Sequence, residues 1–544
     1  MSVNITENNQ NNIGWICTGR QCEAGLGDKV AMRWISSGFE RRDYTFGEME
    51  RLSNRFANVL RALGIEAGEV VFTFLPKAPE QFTAFLGSLK AECITGTLFS
   101  NFGDDALLDR LGASEARLVV TRRSLYRKIE RIRDRLPHLR AVILTDVSED
   151  VSSDVLSWEC LMGGASDRFD TPTTAPDTPS VLHYTSGSTG KPKGVLHRHG
   201  SVRYQERTTR EVLGLGPDDL FWCTADQGWV TGTSYGIIGP WSLGVTQIHF
   251  GGGYNARHWF DLLRDERITV WYTAPTALRM LMREGRDSLG EVDVSRLRSI
   301  FSVGEPLNPE VIAWGREVLG KGIHDTWFQT ETGAIMIANR PGLSIRPGSM
   351  GTPLAGIEPG ILDDDGTPLP DGEHGHLCVR EGWDSMFVTY LGNDTAYASK
   401  FRNGWYHTGD MAWRDKDGYY WFLGRSDDVI NTAGHLVSPF EVESALLELP
   451  EVAESGVIGA PDDLLFEKVV AFVNFRSGVE FTPELELKIR LHIANRLSSV
   501  AIPHEVIPVA AVPKNKSGKI MRRVLKARYL GQDAGDTSTL EDSP

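Results

Sequence analysis

The sequence predicts an α/β protein: a large N-terminal domain with parallel-rich sheets and a β-barrel-like part, followed by a small α+β C-terminal domain. Three observations carry this. Apolar runs of strand length alternate with amphipathic helical patterns through most of the chain, which is the rhythm of βα units. After about Tyr390 the pattern changes to aromatic strands separated by NG and DKDG turns, which suggests hairpins. The length, 544 residues, exceeds what one hydrophobic core usually organises, so at least one smaller unit accompanies the large one.

The elements follow in order. Residues 1–30 read as a loosely structured arm, opening on MSVNITENNQNN, which lacks the basic end and apolar run of a signal peptide. From Tyr44 to Ala91 the chain reads as an amphipathic helix (FGEMERLSNRFANVLRALG), a strand (VVFTFL) and another helix. The strand pattern recurs at RLVVT, RAVILT, TQIHF, ITVWYT and LRSIFSV. Residues 166–180 are rich in Pro, Thr and Asp and read as a connector. Beyond Arg425 come a helix (SPFEVESALLEL), strands (GVIGA, VVAFVNF), a helix (PELELKIRLHIANRLS) and a basic end segment. The division is therefore an arm at 1–30, a large domain at 31–424, a joint at 425–428, a C-terminal domain at 429–530 and a disordered acidic tail at 531–544.

Composition narrows the function. The chain is 41% hydrophobic and 24% charged, as in an ordinary soluble protein, and no stretch approaches a membrane span, so a cytoplasmic location is expected. A net charge of −15 argues against nucleic-acid binding but not against a phosphate-bearing small molecule, which depends on local donors. The six cysteines have no zinc spacing and read as free thiols. A homo-oligomer is left open.

The strongest local signal is YTSGSTGKPKG at 184–194, directly after an apolar strand. Its glycines let the backbone approach phosphates. Its hydroxyls and its lysines, Lys191 and Lys193, supply donors and charge. Pro192 after Lys191 excludes a Walker A loop, which needs Ser or Thr there. The bland alternative is a flexible Gly-Ser linker.

This loop resembles the signature of the AMP-forming acyl-CoA synthetases, part of the adenylate-forming superfamily. Further motifs arrive in that family's order: ADQGWVTG at 225–232, SVGEP at 302–306, DTWFQTETG at 325–333, YHTGD at 406–410, GRSDDVINTAGH at 424–435 and PKNKSGKIMRR at 513–523. The resemblance implies a ligase for a small carboxylic acid, with ATP and CoA as co-substrates and Mg²⁺ as cofactor. It also implies that the C-terminal domain is mobile. A carboxylate attacking an anionic α-phosphate needs cations and oriented donors above all.

By this resemblance Lys519 is the catalytic cation, bridging carboxylate and α-phosphate; alone it is indistinguishable from a basic patch with Lys514, Lys516, Arg522 and Arg523. The ATP and AMP set is Thr185, Ser186, Gly187, Ser188, Thr189, Gly190 and Lys191 in the loop, and Asp325, Thr326, Trp327, Phe328, Gln329 and Thr330 in the central motif. Gly304, Glu305 and Pro306 line the adenine pocket, with Trp327 as its stacking wall. Asp410 accepts from both ribose hydroxyls, and Arg425 supports ribose or phosphates. Glu331 holds Mg²⁺, which prefers hard oxygen ligands. Asp427 is the hinge; Trp229, Asn255 and Gly434 border the channel for CoA. A basic face with Arg122, Arg123 and Arg127 reads either as a CoA phosphate contact or as a solvated helix.

Val230, Thr231, Val303 and Phe328 match the acyl pocket of the acetyl-CoA synthetase branch, except that this branch carries a second Trp where Phe328 stands. Acetate is therefore favoured, then propionate, with a branched, medium-chain or aryl acid, or a carrier-protein loader, as alternatives. Leu436 and Leu449 replace an Arg and a metal-associated His of that branch, so neither contact is expected.

Overall fold

The computed structural model describes residues 10–185, 192–284, 293–433, 435–462, 464–515, 519–535, 537 and 540. Two large sheets build the N-terminal part. In the first, Val30–Ile35, Thr246–Phe250, Leu220–Cys223, Val270–Thr273, Ser299–Val303 and Ile323–Trp327 run parallel, side by side in that order. Most of these strands are buried along their length, as expected of a parallel sheet covered on both faces.

Beyond Ile323–Trp327 the same sheet turns antiparallel. It continues through Ile337–Ala338, Ser349–Pro353, Tyr420–Arg425, Trp405–Arg414, Gly375–Arg380 and Pro359–Leu362. This is the part expected to be barrel-like. Among the described residues its outermost strand, Pro359–Leu362, does not return to Ser349–Pro353, so the ladder stays open.

The second sheet carries Val155–Ser157, Ala141–Leu144, Leu118–Thr121, Val70–Phe74, Ile94–Leu98 and Pro179–Thr185, all parallel. Lys193–Arg198 and then Thr389–Tyr390 add to it antiparallel. The turn between Pro179–Thr185 and Lys193–Arg198 is the phosphate-type loop, so its flanks are fixed by a ladder that sets Thr185 opposite Lys193.

Local signals explain the helices. Thr45 and Glu48 form a reciprocal capping box that starts Phe46–Ala62. Proline opens Pro79–Lys90, Pro275–Arg283, Pro309–Val318, Pro439–Leu447 and Pro483–Arg496, where its missing N–H costs nothing.

One expectation is corrected. From residue 10 the arm is packed, not loose: Ile13–Cys17 is helical and buries Ile13, Ile16 and Cys17 against Phe82, Phe85 and Leu89. Asn12 donates to the carbonyl of Leu89 at 2.9 Å, and its side-chain oxygen caps the short helix. An apolar run of five residues is too short to show a helical period, so sequence alone missed it.

The C-terminal part is a separate α+β domain. Its sheet orders His435–Val437, Ile430–Thr432, Phe466–Phe475 and Val452–Asp462 antiparallel, with Glu505–Pro508 parallel to Phe466–Phe475. Pro439–Leu447, Pro483–Arg496 and Arg522–Leu530 cover it. All six cysteines are free thiols. Among the described residues, no helix is long and apolar enough to cross a membrane.

Candidate active site

Antiparallel pairing sets Asp410 opposite Arg425 across two strands. The Asp410 carboxylate, 3% exposed, accepts from Arg425 Nη1 at 2.8 Å, Gln329 Nε2 at 2.9 Å and Trp327 Nε1 at 3.1 Å. Gly409 precedes it at φ +77°, and a Cβ there would stand 2.9 Å from Arg425 Nη2. Burial, the largest single influence, works against the Arg425 charge, but Asp410 together with Glu331 and Tyr406 raises the guanidinium above its ordinary range. Thus Trp327, Gln329, Asp410 and Arg425, predicted separately, form one network.

Residues 329–333 form the turn after Ile323–Trp327. Glu331 accepts from Tyr390 OH at 2.8 Å, and the Thr330 carbonyl bonds with His197 Nε2 at 2.8 Å. The Tyr390 ring also lies under the Lys193 ammonium at 5.4 Å. The short strand Thr389–Tyr390 therefore ties the flank of the phosphate-type loop to the Glu331 turn. A carboxylate beside a hydroxyl suits Mg²⁺ shared with substrate phosphates. Among the described residues, no cluster of three or more His, Cys, Asp or Glu offers an all-protein metal site.

The side chains of Asp325 and Thr326 are engaged within the sheet. Asp325 accepts from Ser302 Oγ at 2.7 Å and, deep in the sheet, burial pushes its carboxyl up to about 7. Thr326 pairs with Tyr272 OH at 2.7 Å. Both side chains thus brace the strand that carries Trp327. Glu305 is similarly engaged, by Arg279 at 2.5 Å and Thr276 Oγ1 at 2.8 Å, whereas Gly304, at φ +92°, borders open space. Pro306 follows it, partly exposed.

Val303 ends its strand nearly buried, and Phe328 packs edge-on against Tyr235 at 5.5 Å. Tyr235 lies in the segment continuing Val230–Thr233, so the Val230 and Thr231 turn and Phe328 are joined through one aromatic ring. Trp229 stands at the N-cap of that helix, its ring tilted against Phe99 at 4.9 Å. Asn255 is exposed, and its side chain caps Ala256–Asp265 through His258 N at 3.0 Å. A cavity of about 270 Å³ is lined by Lys77, Ser100, Thr224, Asp226 and Gly251 among others, and neither Trp229 nor Asn255 is part of its lining. It sits where strands of both sheets end at their C-terminal edges, the usual place for ligands in α/β sheets.

Lys519 lies in a loop braced by its own backbone: its N–H donates to Asn515 Oδ1 at 2.9 Å and its carbonyl accepts from Asn515 N at 2.9 Å. Solvent reaches its side chain. Desolvation first, then Arg425, nonetheless hold the ammonium below the ordinary lysine range, while Asp410 and Asp428 pull the other way. Arg425 and Asp410 of that network are thus among its electrostatic neighbours. Asp427 is exposed in the turn directly after Arg425. Ser186, Gly187, Ser188, Thr189, Gly190, Lys191 and Gly434 lie outside the described residues. Tyr390 and Lys77 were missed in the sequence; no motif marks them, because Tyr390 reaches the Glu331 turn through strand pairing and Lys77 lines the cavity from the loop after Val70–Phe74.

The sequence model of the AMP-binding enzyme family matches residues 20–391, and that of the AMP-binding enzyme C-terminal domain matches residues 441–519. The acetyl-coenzyme A synthetase of Bacillus subtilis (strain 168) is 45% identical over 533 residues, covering 98% of this chain and 93% of that protein. That of Deinococcus radiodurans is 37% identical over 562 residues, covering 98% and 86%. Among solved structures, the anthranilate CoA ligase AuaEII in complex with anthranoyl-AMP aligns with a TM-score of 0.87 at 29% identity, covering 96% of this chain and 98% of that one. The Brucella canis acyl-CoA synthetase aligns with a TM-score of 0.74 at 35% identity, covering 96% and 94%.

Proposed function

Because the chain belongs to the AMP-binding enzyme family, we propose that it joins a short-chain acid, acetate first and propionate next, to CoA through an acyl-AMP intermediate. It is an AMP-forming acid–CoA ligase, and ATP and CoA are its co-substrates. The observation that carries the reading is the buried network of Asp410 with Arg425, Trp327 and Gln329, which joins the Glu331 turn and has Lys519 among its electrostatic neighbours.

In the first half-reaction a carboxylate oxygen of the acid attacks the α-phosphorus of ATP. The bond from that phosphorus to the β-bridging oxygen breaks, and its electron pair leaves with pyrophosphate. Lys519 offsets the charge that accumulates between the two anions. Asp410 is the ribose acceptor. A carboxylate has about four acceptor sites and three are taken by protein donors, so holding both ribose hydroxyls requires Gln329 or Trp327 to release one. Glu331 is the residue that would hold Mg²⁺, which, bound there, would neutralise phosphate oxygens, and Thr330 would contact phosphate.

In the second half-reaction the CoA sulfur attacks the acyl carbonyl carbon, the carbon–oxygen bond to AMP breaks, and AMP leaves with that pair. Asp427 is the hinge about which the C-terminal domain withdraws Lys519 between the two steps. Trp229, Asn255 and Gly434 border the approach for CoA. The acyl end meets Val230, Thr231, Val303 and Phe328, walls that leave room for few carbons. Short-acid specificity agrees with the relatives named acetyl-coenzyme A synthetase. We place the enzyme in the cytoplasm.

The test is acid-dependent pyrophosphate release with CoA across acetate, propionate, butyrate, isobutyrate and benzoate. One methylene is worth about 1–3 kcal/mol, so acetate should lead propionate by roughly tenfold and benzoate by far more. A preference for benzoate would overturn the pocket assignment.

A further inference from the structure

The phosphate-type loop hangs on a hairpin, and two histidines stand on one face of that hairpin. His183 lies in Pro179–Thr185 and His197 in Lys193–Arg198. The register sets His183 opposite Val195, so His197, two residues further on, shares its face, and the two rings lie 6.3 Å apart. Both are almost fully buried, at 3% exposure. Each ring reaches a different turn of the site. His197 Nε2 donates to the Thr330 carbonyl at 2.8 Å, in the turn that carries Glu331. His183 Nε2 shares a hydrogen bond of 2.8 Å with Thr233 Oγ1, at the end of Val230–Thr233.

The Thr233 hydroxyl also closes its own short helix, with Oγ1 at 3.1 Å from the Val230 carbonyl. That contact is internal to the helix, whereas the His183 bond fixes where the helix sits on the hairpin. The next residue, Ser234, is anchored elsewhere: its Oγ donates to Gly333 O at 2.8 Å and accepts from Gln205 Nε2 at 3.0 Å. The front of the helix is tight as well, since a Cβ on Gly232 would stand 2.0 Å from the Asp226 carbonyl. Little slack is left. Among these fixings, the His183 bond is the one that ties Val230–Thr233 to the strand leading into the phosphate-type loop.

His183 Nε2 faces Thr233, and burial, with His197 beside it, holds the imidazole neutral down to about 3. Its work is therefore to position and not to transfer a proton. Val230 and Thr231, at the head of the same helix, are the walls assigned to the acyl pocket. Resting on the reading of the chain as a short-acid CoA ligase, we propose that His183 sets the size of acid accepted by holding Val230–Thr233 at a fixed place beside the phosphate-type loop. A wall held in place keeps out the extra methylene of propionate; a wall free to shift admits it.

The experiment measures pyrophosphate release with acetate and with propionate in His183→Leu, His183→Gln and Thr233→Val beside the unaltered enzyme. His183→Leu keeps the bulk but loses the bond. It should raise the KM for acetate roughly tenfold and bring the acetate-to-propionate ratio of kcat/KM from roughly tenfold to about threefold or less. Thr233→Val removes the same bond from its other end and should do the same. His183→Gln, whose amide can bond Oγ1, should restore the ratio to within about twofold of the unaltered enzyme. The KM for ATP should stay within about twofold throughout. The ladder that sets Thr185 opposite Lys193 holds the flank of the loop without His183. Both acids are read on one preparation, so a lower folded fraction cancels from the ratio. An unchanged ratio in His183→Leu or in Thr233→Val would overturn the proposal. So would a parallel rise in the KM for acetate and for ATP with the ratio kept, the mark of general loosening. If the unaltered enzyme released no pyrophosphate with any acid, the ligase reading would fail and the proposal with it; a failure confined to the variants would leave that reading standing.

Discussion

His183 and His197 belong to the two strands that flank the phosphate-type loop, His199 directly follows the second, and burial pushes their imidazoles down to about 3, 4 and 3. Geometry says the same: His199 Nδ1 accepts from Ile13 N at 3.0 Å, which a protonated ring could not do. A histidine depressed in the folded state gains its proton on unfolding once pH drops below about 6.5, so stability falls with acid through that window. Asp325 opposes this, since its carboxyl, raised to about 7, takes up a proton in the folded state first. Between pH 7.5 and 5.5 the three histidines should cost about 4 kcal/mol and Asp325 should return about 2, for a net loss of about 2 kcal/mol. His249 and His324 share the sign of the histidines, and Glu443 that of Asp325. Urea midpoints at the two pH values check this; a midpoint that held steady or rose in acid would show that the three rings are charged when folded.

The turn at 329–333 shows how an element imposes chemistry that no single residue announces. Gly333 closes it at φ +74°, and a Cβ there would sit 2.5 Å from Ser385 O and 2.9 Å from His197 Cε1. Gly372 has a similar backbone at φ +92° but open space around it. Both alanine variants meet the left-handed strain of about 1 kcal/mol, but only Gly333→Ala must also displace Ser385 and the ring that holds Thr330. Pyrophosphate release should therefore fall roughly tenfold or more in Gly333→Ala and stay near the unaltered level in Gly372→Ala. Equal losses would show that the turn does not position Glu331. The strands and helices of the large domain were legible because period and capping are local: TQIHF, ITVWYT and LRSIFSV are the strands they promise, and Thr45 with Glu48 starts a helix. The motif residues were legible for the same reason. Tyr390 was not, because its meaning comes from Thr389–Tyr390 pairing with Lys193–Arg198, some two hundred residues earlier. Nor did the motif say that Asp325 and Thr326 turn inward, which follows from the neighbouring Ser302 and Tyr272.

At the scale of the whole molecule, the proposed two-step cycle needs the C-terminal domain to hold Lys519 inward and then release it. Glu454 is placed to govern that exchange. It accepts from Lys514 Nζ at 2.5 Å, five residues before Lys519, and from Arg283 Nη1 of the large domain at 2.7 Å. Arg283 also donates to the Ala453 carbonyl, and Asn308 of the large domain donates to Ser444 Oγ at 2.7 Å. The Lys514 bond lies within the C-terminal domain and travels with it; the Arg283 bonds cross between domains and must break on rotation. Arg283→Met should therefore destabilise the Lys519-inward orientation alone. A partly buried, charge-assisted contact suggests a shift of roughly 3- to 30-fold in that population. The rate of the pyrophosphate burst with acetate and ATP should fall by that factor. Conversion of preformed acetyl-adenylate with CoA should hold or rise, since it proceeds from the other orientation. Parallel loss of both half-reactions would show that Arg283 supports the fold of the interface and not its direction.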